Sequence, residues 1–131
     1  MGVPRRYPVS VAEASARVVR GEPFWQSFGS LMEFLKYNAT QKQRYSGLAE
    51  EPPTLGDAGL DALVAAMAED LAMTYEVPVP EWCLAGRYHL PPGQEYCDWR
   101  SPRGRAYVIA HAREPYRRHG VFVAPNVIDI A

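Results

Sequence analysis

The sequence predicts a mainly α-helical fold, a small helical bundle around one central helix, and three observations predict it. Apolar residues recur at spacings of three and four over residues 24–35 and again over 60–75, the period of a helix face. Most of the twelve prolines fall between such stretches, where a missing amide and a fixed φ cut the chain into short helices joined by rigid turns. A length of 131 residues with 47% hydrophobic and 22% charged residues suits one buried core and argues against disordered or fibrous classes. We therefore read residues 1–131 as a single helical domain. Residues 1–9 form an arm, 10–75 a helical core, 76–102 an irregular aromatic- and proline-rich segment, and 103–131 C-terminal helices and a tail.

The elements follow in chain order. Behind the basic arm with Arg5, Arg6 and Pro8, Ser10 and Glu13 make the pattern S-x-x-E, in which hydroxyl and carboxylate satisfy each other's orphan amides and start a helix near Val11. Gly21 is placed to end it, and Pro23 suits the first turn of a second helix. There Phe24, Phe28, Leu31 and Leu35 form one stripe, widened by Trp25 and Met32. Residues 38–46 turn polar and read either as more helix or as a solvated connector, and Leu48 to Gly56, with Pro52 and Pro53, reads as a loop.

Asp57 is a good N-cap for the central helix, whose face is marked by Leu60, Leu63, Val64, Met67, Leu71 and Tyr75. Alanines at 62, 65, 66, 68 and 72 would let neighbours approach it on more than one side. Its carboxylates Asp61, Glu69 and Asp70 are expected on a wet face. Pro78 and Pro80 stop it. Ser101 followed by Pro102 opens a helix through about Ala112, Glu114 with Pro115 opens a short last one ending at Gly120, and Val121 to Val123 could form a brief strand.

Charge is unevenly divided. Residues 1–46 carry a net +4, residues 47–80 hold seven acids and no Lys or Arg, and residues 81–131 carry +2. An acidic middle between basic ends implies internal pairing or a face for a basic partner. Met1 to Arg20 has no continuous apolar run, and no run of about eighteen apolar residues exists to span a membrane. A cytoplasmic location is expected, with Cys83 and Cys97 as two thiols.

The residues bear on three chemistries. Cys83, His89, Cys97, His111 and His119 are metal-ligand types, but their spacing lacks the close pairs of zinc sites, so neither a metal nor another cofactor is expected. Arg105 with His111, and Arg113 with His119, share the R-x5-H spacing of small helical ribonucleases of the HEPN class, where histidine moves a proton and arginine steadies a phosphate. The residues that follow these arginines, Ala106 and Glu114, are not the usual polar ones, and Pro115 should leave Arg113 and His119 on different helices. Arg100, Arg103, Arg105, Arg113, Arg117 and Arg118, interleaved with Trp99, Tyr107 and Tyr116, suit contact with RNA or DNA. The pI near 6.3 is low for a dedicated nucleic-acid binder, and the stretch from Tyr116 to His119 could instead pair with the acidic middle. No phosphate loop, G-x-S-x-G elbow or H-E-x-x-H is present, and no catalytic residue is assigned.

Four stretches carry a family resemblance: Leu48-Ala49-Glu50-Glu51-Pro52; Gly56-Asp57 with Leu60-Asp61-Ala62-Leu63; Pro78-Val79-Pro80-Glu81-Trp82; and Tyr116-Arg117-Arg118-His119-Gly120-Val121-Phe122-Val123. In pattern and order, over about residues 46–124, the chain resembles small bacterial antitoxin-like proteins encoded beside nucleotidyltransferase-like toxins. The segment from Leu84 to Trp99 departs from them, being longer and more polar. The resemblance implies a non-enzymatic protein that binds and neutralises a toxin. Partly exposed aromatics and arginines usually anchor such interfaces, which makes Trp82, Trp99, Tyr116, Arg117, Arg118 and Phe122 the candidate partner-binding residues. Core packing is the competing account of the aromatics.

Overall fold

The computed structural model describes residues 7–129, so most of the expected N-terminal arm lies outside the described residues. The architecture is mainly helical: six α-helices and one short pair of parallel strands are formed among the described residues. Helix α1 spans Val11–Val19. The Ser10 hydroxyl accepts from the Glu13 amide at 3.0 Å, and the Glu13 carboxylate reaches back to accept from Val9 at 2.8 Å. Gly21, at φ 110, closes the helix as expected. Helix α2 spans Phe24–Tyr37 and buries Phe28, Leu31, Met32 and Leu35. Trp25 does not widen that buried stripe; it stands 38% exposed. The Ser27 hydroxyl donates to the Ala14 carbonyl at 2.9 Å inside the α1–α2 contact, which satisfies a buried polar group.

The ambiguous stretch at 38–46 is mostly a separate helix, α3, spanning Gln41–Ala49. It is a fresh start and not a continuation of α2, because Thr40 and Gln43 form a capping box: Thr40 Oγ1 accepts from the Gln43 amide, and Gln43 Oε1 accepts from the Thr40 amide. A T-x-x-Q pattern was present in the sequence to announce it. Helix α3 lies against the start of α1 at Gly47, where an added Cβ would sit 2.8 Å from the Val9 carbonyl oxygen.

Helix α4, Ala58–Thr74, is capped by Asp57, whose carboxylate accepts from the Leu60 amide at 3.0 Å. Every residue from Ala62 to Ala72 is buried. A helix enclosed on all sides has no wet face. That corrects the expectation for two of its three acids: Glu69 and Asp70 are inside the protein, and among the three Asp61 alone stays partly accessible. The alanines make this enclosure achievable, since each of the five is fully or almost fully buried under a neighbouring element.

The irregular segment contains two 3₁₀ turns, Glu81–Leu84 and Gly86–Tyr88, and strand β1, Tyr96–Cys97. Strand β2, Val121–Phe122, is the brief strand expected, and it pairs in parallel with β1, Tyr96 opposite Val121 and Cys97 opposite Phe122. Between them lie α5, Pro102–His111, opened by Ser101 and Pro102, and α6, Glu114–Arg118. None of the helices among the described residues is long and apolar enough to cross a membrane.

Two glycines should respond oppositely to the same change. Gly29→Ala, in α2 with open space at the Cβ position, should raise the urea midpoint by roughly 0.5–1 kcal/mol of stability, the usual gain for alanine over glycine in a helix. Gly47→Ala should lower stability by about 1–3 kcal/mol, because the methyl meets backbone that cannot rotate away.

Candidate functional site

Two groups of residues stand out: a buried polar cluster between α4 and α6, and an exposed surface on α5. The cluster begins with adjacent acids on α4. A buried carboxylate is costly unless it is paired and hydrogen-bonded, and α6 with its flanks meets both. Arg113, the residue before α6, lies along Asp70 with two nitrogens, at 2.9 Å from Oδ1 and 3.2 Å from Oδ2. The Tyr116 hydroxyl donates to Asp70 Oδ2 at 2.8 Å. Arg118 lies 2.6 Å from Glu69 Oε2, and His119 Nε2 lies 2.7 Å from Glu69 Oε1. The second nitrogen of His119, Nδ1, is 2.6 Å from the Tyr88 carbonyl. A carbonyl only accepts, so Nδ1 carries a proton and donates it there.

Backbone pairing explains why His119 sits where it does. The Leu90 amide donates to the His119 carbonyl and the Tyr96 amide to that of Gly120, so the chain around 88–96 runs alongside the end of α6. Gly120, at φ 74, makes this passage feasible, with Leu90 backbone and side-chain atoms 3.0–3.6 Å from where a Cβ would be. His89, next to Tyr88, stacks its ring on His119 with centroids 4.2 Å apart and planes at 22°. The buried Cys83 belongs to the same neighbourhood: burial, and then the Glu69 charge, push its thiol up to about 12, which keeps it protonated and unreactive.

The acidic middle is therefore largely satisfied within the fold. Glu69 and Asp70 pair with the C-terminal helix, Glu51 pairs with Arg87 and accepts from the Tyr88 hydroxyl at 3.0 Å, Asp57 caps α4, and Asp61 accepts from Thr54 and Leu55. The stretch from Tyr116 to His119 does pair with these acids.

This geometry sorts the sequence candidates. Tyr116 is fully buried and Trp82 is 8% exposed, its indole donating to the Leu48 carbonyl at 3.0 Å. Both are core residues, which corrects their choice as partly exposed anchors. Arg117 turns inward along α5, its Nε donating to the Ala112 carbonyl at 2.7 Å and its terminal nitrogen to that of Ile109. Arg118 is spent on Glu69. Phe122 is half-buried beneath Arg117, and among the four candidate aromatics Trp99 is the one broadly exposed, at 47%. Pro115 does not separate Arg113 from His119: the two residues cap opposite ends of α6. His119 is nevertheless fully buried. Arg105 and His111 both lie on α5, six residues apart, so they project about a third of a turn from each other.

The exposed surface is α5 with its approach, where the sequence already groups Arg100, Arg103 and Arg105 with Trp99 and Tyr107; Ile109 is the residue it does not single out. Val108 is the buried residue of this ten-residue helix, while Tyr107 is 50% and Ile109 44% exposed. Trp99 precedes the helix and packs over Gly104, where an added Cβ would come within 3.0 Å of the ring. Arg100, Arg103 and Arg105 are exposed, and their side chains make no ion pair or hydrogen bond among the described residues. The helix has no apolar stripe because its apolar residues point several ways, and that was the available signal. A depression of about 620 Å³ lies elsewhere, between Tyr45, Glu51, Glu81 and Trp82, and presents carboxylates without a histidine, lysine or cysteine in its lining.

In comparisons with family models, curated proteins and solved structures, nothing matches this chain.

Removing Asp70 should be far more damaging than removing one of its partners. Asp70→Ala removes the acceptor shared by Arg113 and the Tyr116 hydroxyl, and urea unfolding should register a loss of about 3–5 kcal/mol. Tyr116→Phe should cost about 1 kcal/mol, since Arg113 still neutralises Asp70. Equal costs would show that the carboxylate is not the hub.

Proposed function

We propose that this protein is an antitoxin-like, non-enzymatic component that binds and neutralises a partner toxin, with the surface of α5 as the docking element. The observation that carries this reading is the composition of that surface: exposed Trp99, Tyr107 and Ile109 among Arg100, Arg103 and Arg105. Tryptophan, tyrosine and arginine are the side chains that dominate interface energetics, and here all three types stand exposed on one short element. The three free arginines suit a partner with an acidic face. The four stretches that resemble antitoxin-like proteins supply the partner's class, a nucleotidyltransferase-like toxin in a bacterial cytoplasm.

A second reading has its own support. The same arginines and aromatics suit single-stranded RNA or DNA, in which phosphates meet arginine and bases stack on rings. Such binding would weaken steeply with salt, by about two logarithmic units per tenfold rise if three phosphates are contacted.

Co-expression with the product of the neighbouring gene distinguishes the two. The antitoxin reading expects growth rescue and a stable complex, and expects Trp99→Ala with Tyr107→Ala to weaken that complex at least tenfold without lowering the thermal midpoint. Absence of both rescue and complex removes the antitoxin reading, and salt-sensitive RNA binding lost in the same double variant would put the second in its place.

A further inference from the structure

We propose that Glu69, His89 and His119 form a binding site for one divalent transition-metal ion of the zinc type, independent of the α5 surface. One ligand atom from each residue lies within 4.8 Å of the other two. Sequence spacing gave no hint of it, because the three residues come from α4, the turn after Gly86–Tyr88 and the end of α6.

The orientation of the imidazoles is what suggests a metal. His89 Nδ1 lies 3.0 Å from the Ala85 carbonyl and His119 Nδ1 2.6 Å from the Tyr88 carbonyl. In both rings that nitrogen must be the proton donor, which leaves each Nε2 to offer a lone pair when the ring is neutral. Backbone carbonyls commonly fix metal-binding histidines in this way. Glu69 adds a carboxylate oxygen, Oε1, 2.7 Å from His119 Nε2, while Arg118 occupies the other oxygen and keeps the carboxylate from turning. Two nitrogens and one oxygen suit zinc, cobalt or nickel and not calcium or magnesium.

Access and movement are also provided. Glu69 and His119 are buried and hydrogen-bonded to each other, whereas His89 is half-buried and lies on the solvent side. In its present position His89 stacks on His119 at 22° and 4.2 Å. Ring planes so nearly parallel do not meet at a point about 2.1 Å from both nitrogens, so the ion must swing His89 out of the stack. The ion also replaces the proton held between His119 Nε2 and Glu69 Oε1, and that proton leaves to solvent. The fourth position then faces water.

Titration of the whole protein with zinc chloride, followed by calorimetry, tests this, with cobalt(II) absorption as a second readout. The expected result is one ion per chain and a tetrahedral cobalt spectrum. Binding should weaken at least tenfold in His89→Ala, whose thermal midpoint without metal is measured alongside to show that the variant is folded. His111→Ala, which changes an exposed histidine at the end of α5 that is not one of the three ligands, should bind as the unaltered chain does. No saturable binding, undiminished binding in His89→Ala, or binding lost in His111→Ala would each overturn the proposal.

Discussion

The structure turns on the pairing of two adjacent buried acids of α4 with the side chains of α6. Helix α6 has five residues, far fewer than an isolated helix needs to persist in water. It is held by tertiary contacts: Asp70 takes Arg113 and Tyr116, and Glu69 takes Arg118 and His119. Because neither acid is accessible to water, each bond replaces hydration that the fold has removed. Loss of an acid therefore leaves two partners unmatched, whereas loss of one partner is softened by the other that the same acid keeps. The pairing also fixes the chain after α6, so that β2 reaches β1 in register and His119 meets the segment around Tyr88.

Helix α5 is the counterpart. It is capped by Ser101 at one end and by Arg117 on its last carbonyls, and it buries little beyond Val108. Its stability comes from its ends, and its sides are left to solvent. The acidic middle and the basic C-terminal part cancel internally through Arg113 and Arg118, whereas the arginines before and early in α5 find no acid. Their exposure beside Trp99 and Tyr107 gives that surface the composition of an interface, and nothing in the folding of the chain requires it.

Much of this was legible in the sequence, and the rest was not for identifiable reasons. Caps are local, so Ser10, Asp57 and the Ser101–Pro102 pair announced their helices, and Thr40 with Gln43 carried the same signal for α3. The brief strand at Val121 was legible, but its partner at Tyr96 was not, because a two-residue strand has no period to detect. Glu69 and Asp70 were misplaced on a wet face because acids on a helix usually are. The clue lay in their surroundings: they are the only charges between Ala62 and Tyr75, in a run too apolar and alanine-rich to leave one side in water. Which arginines and tyrosine would meet them depended on contacts more than forty residues apart in sequence, beyond what spacing can convey. The burial of Trp82 and Tyr116 has the same origin, since each aromatic finds a polar partner inside and so has no need of the surface.

Native-state hydrogen exchange tests the dependence of the fold on the α4–α6 pairing most directly. The amides of α4 and those of α6 at and after Tyr116 should open together, with one free energy and one response to low urea, while α5 exchanges earlier. Exchange of the α6 amides at a distinctly lower free energy, alongside α5 and with α4 still protected, would contradict it.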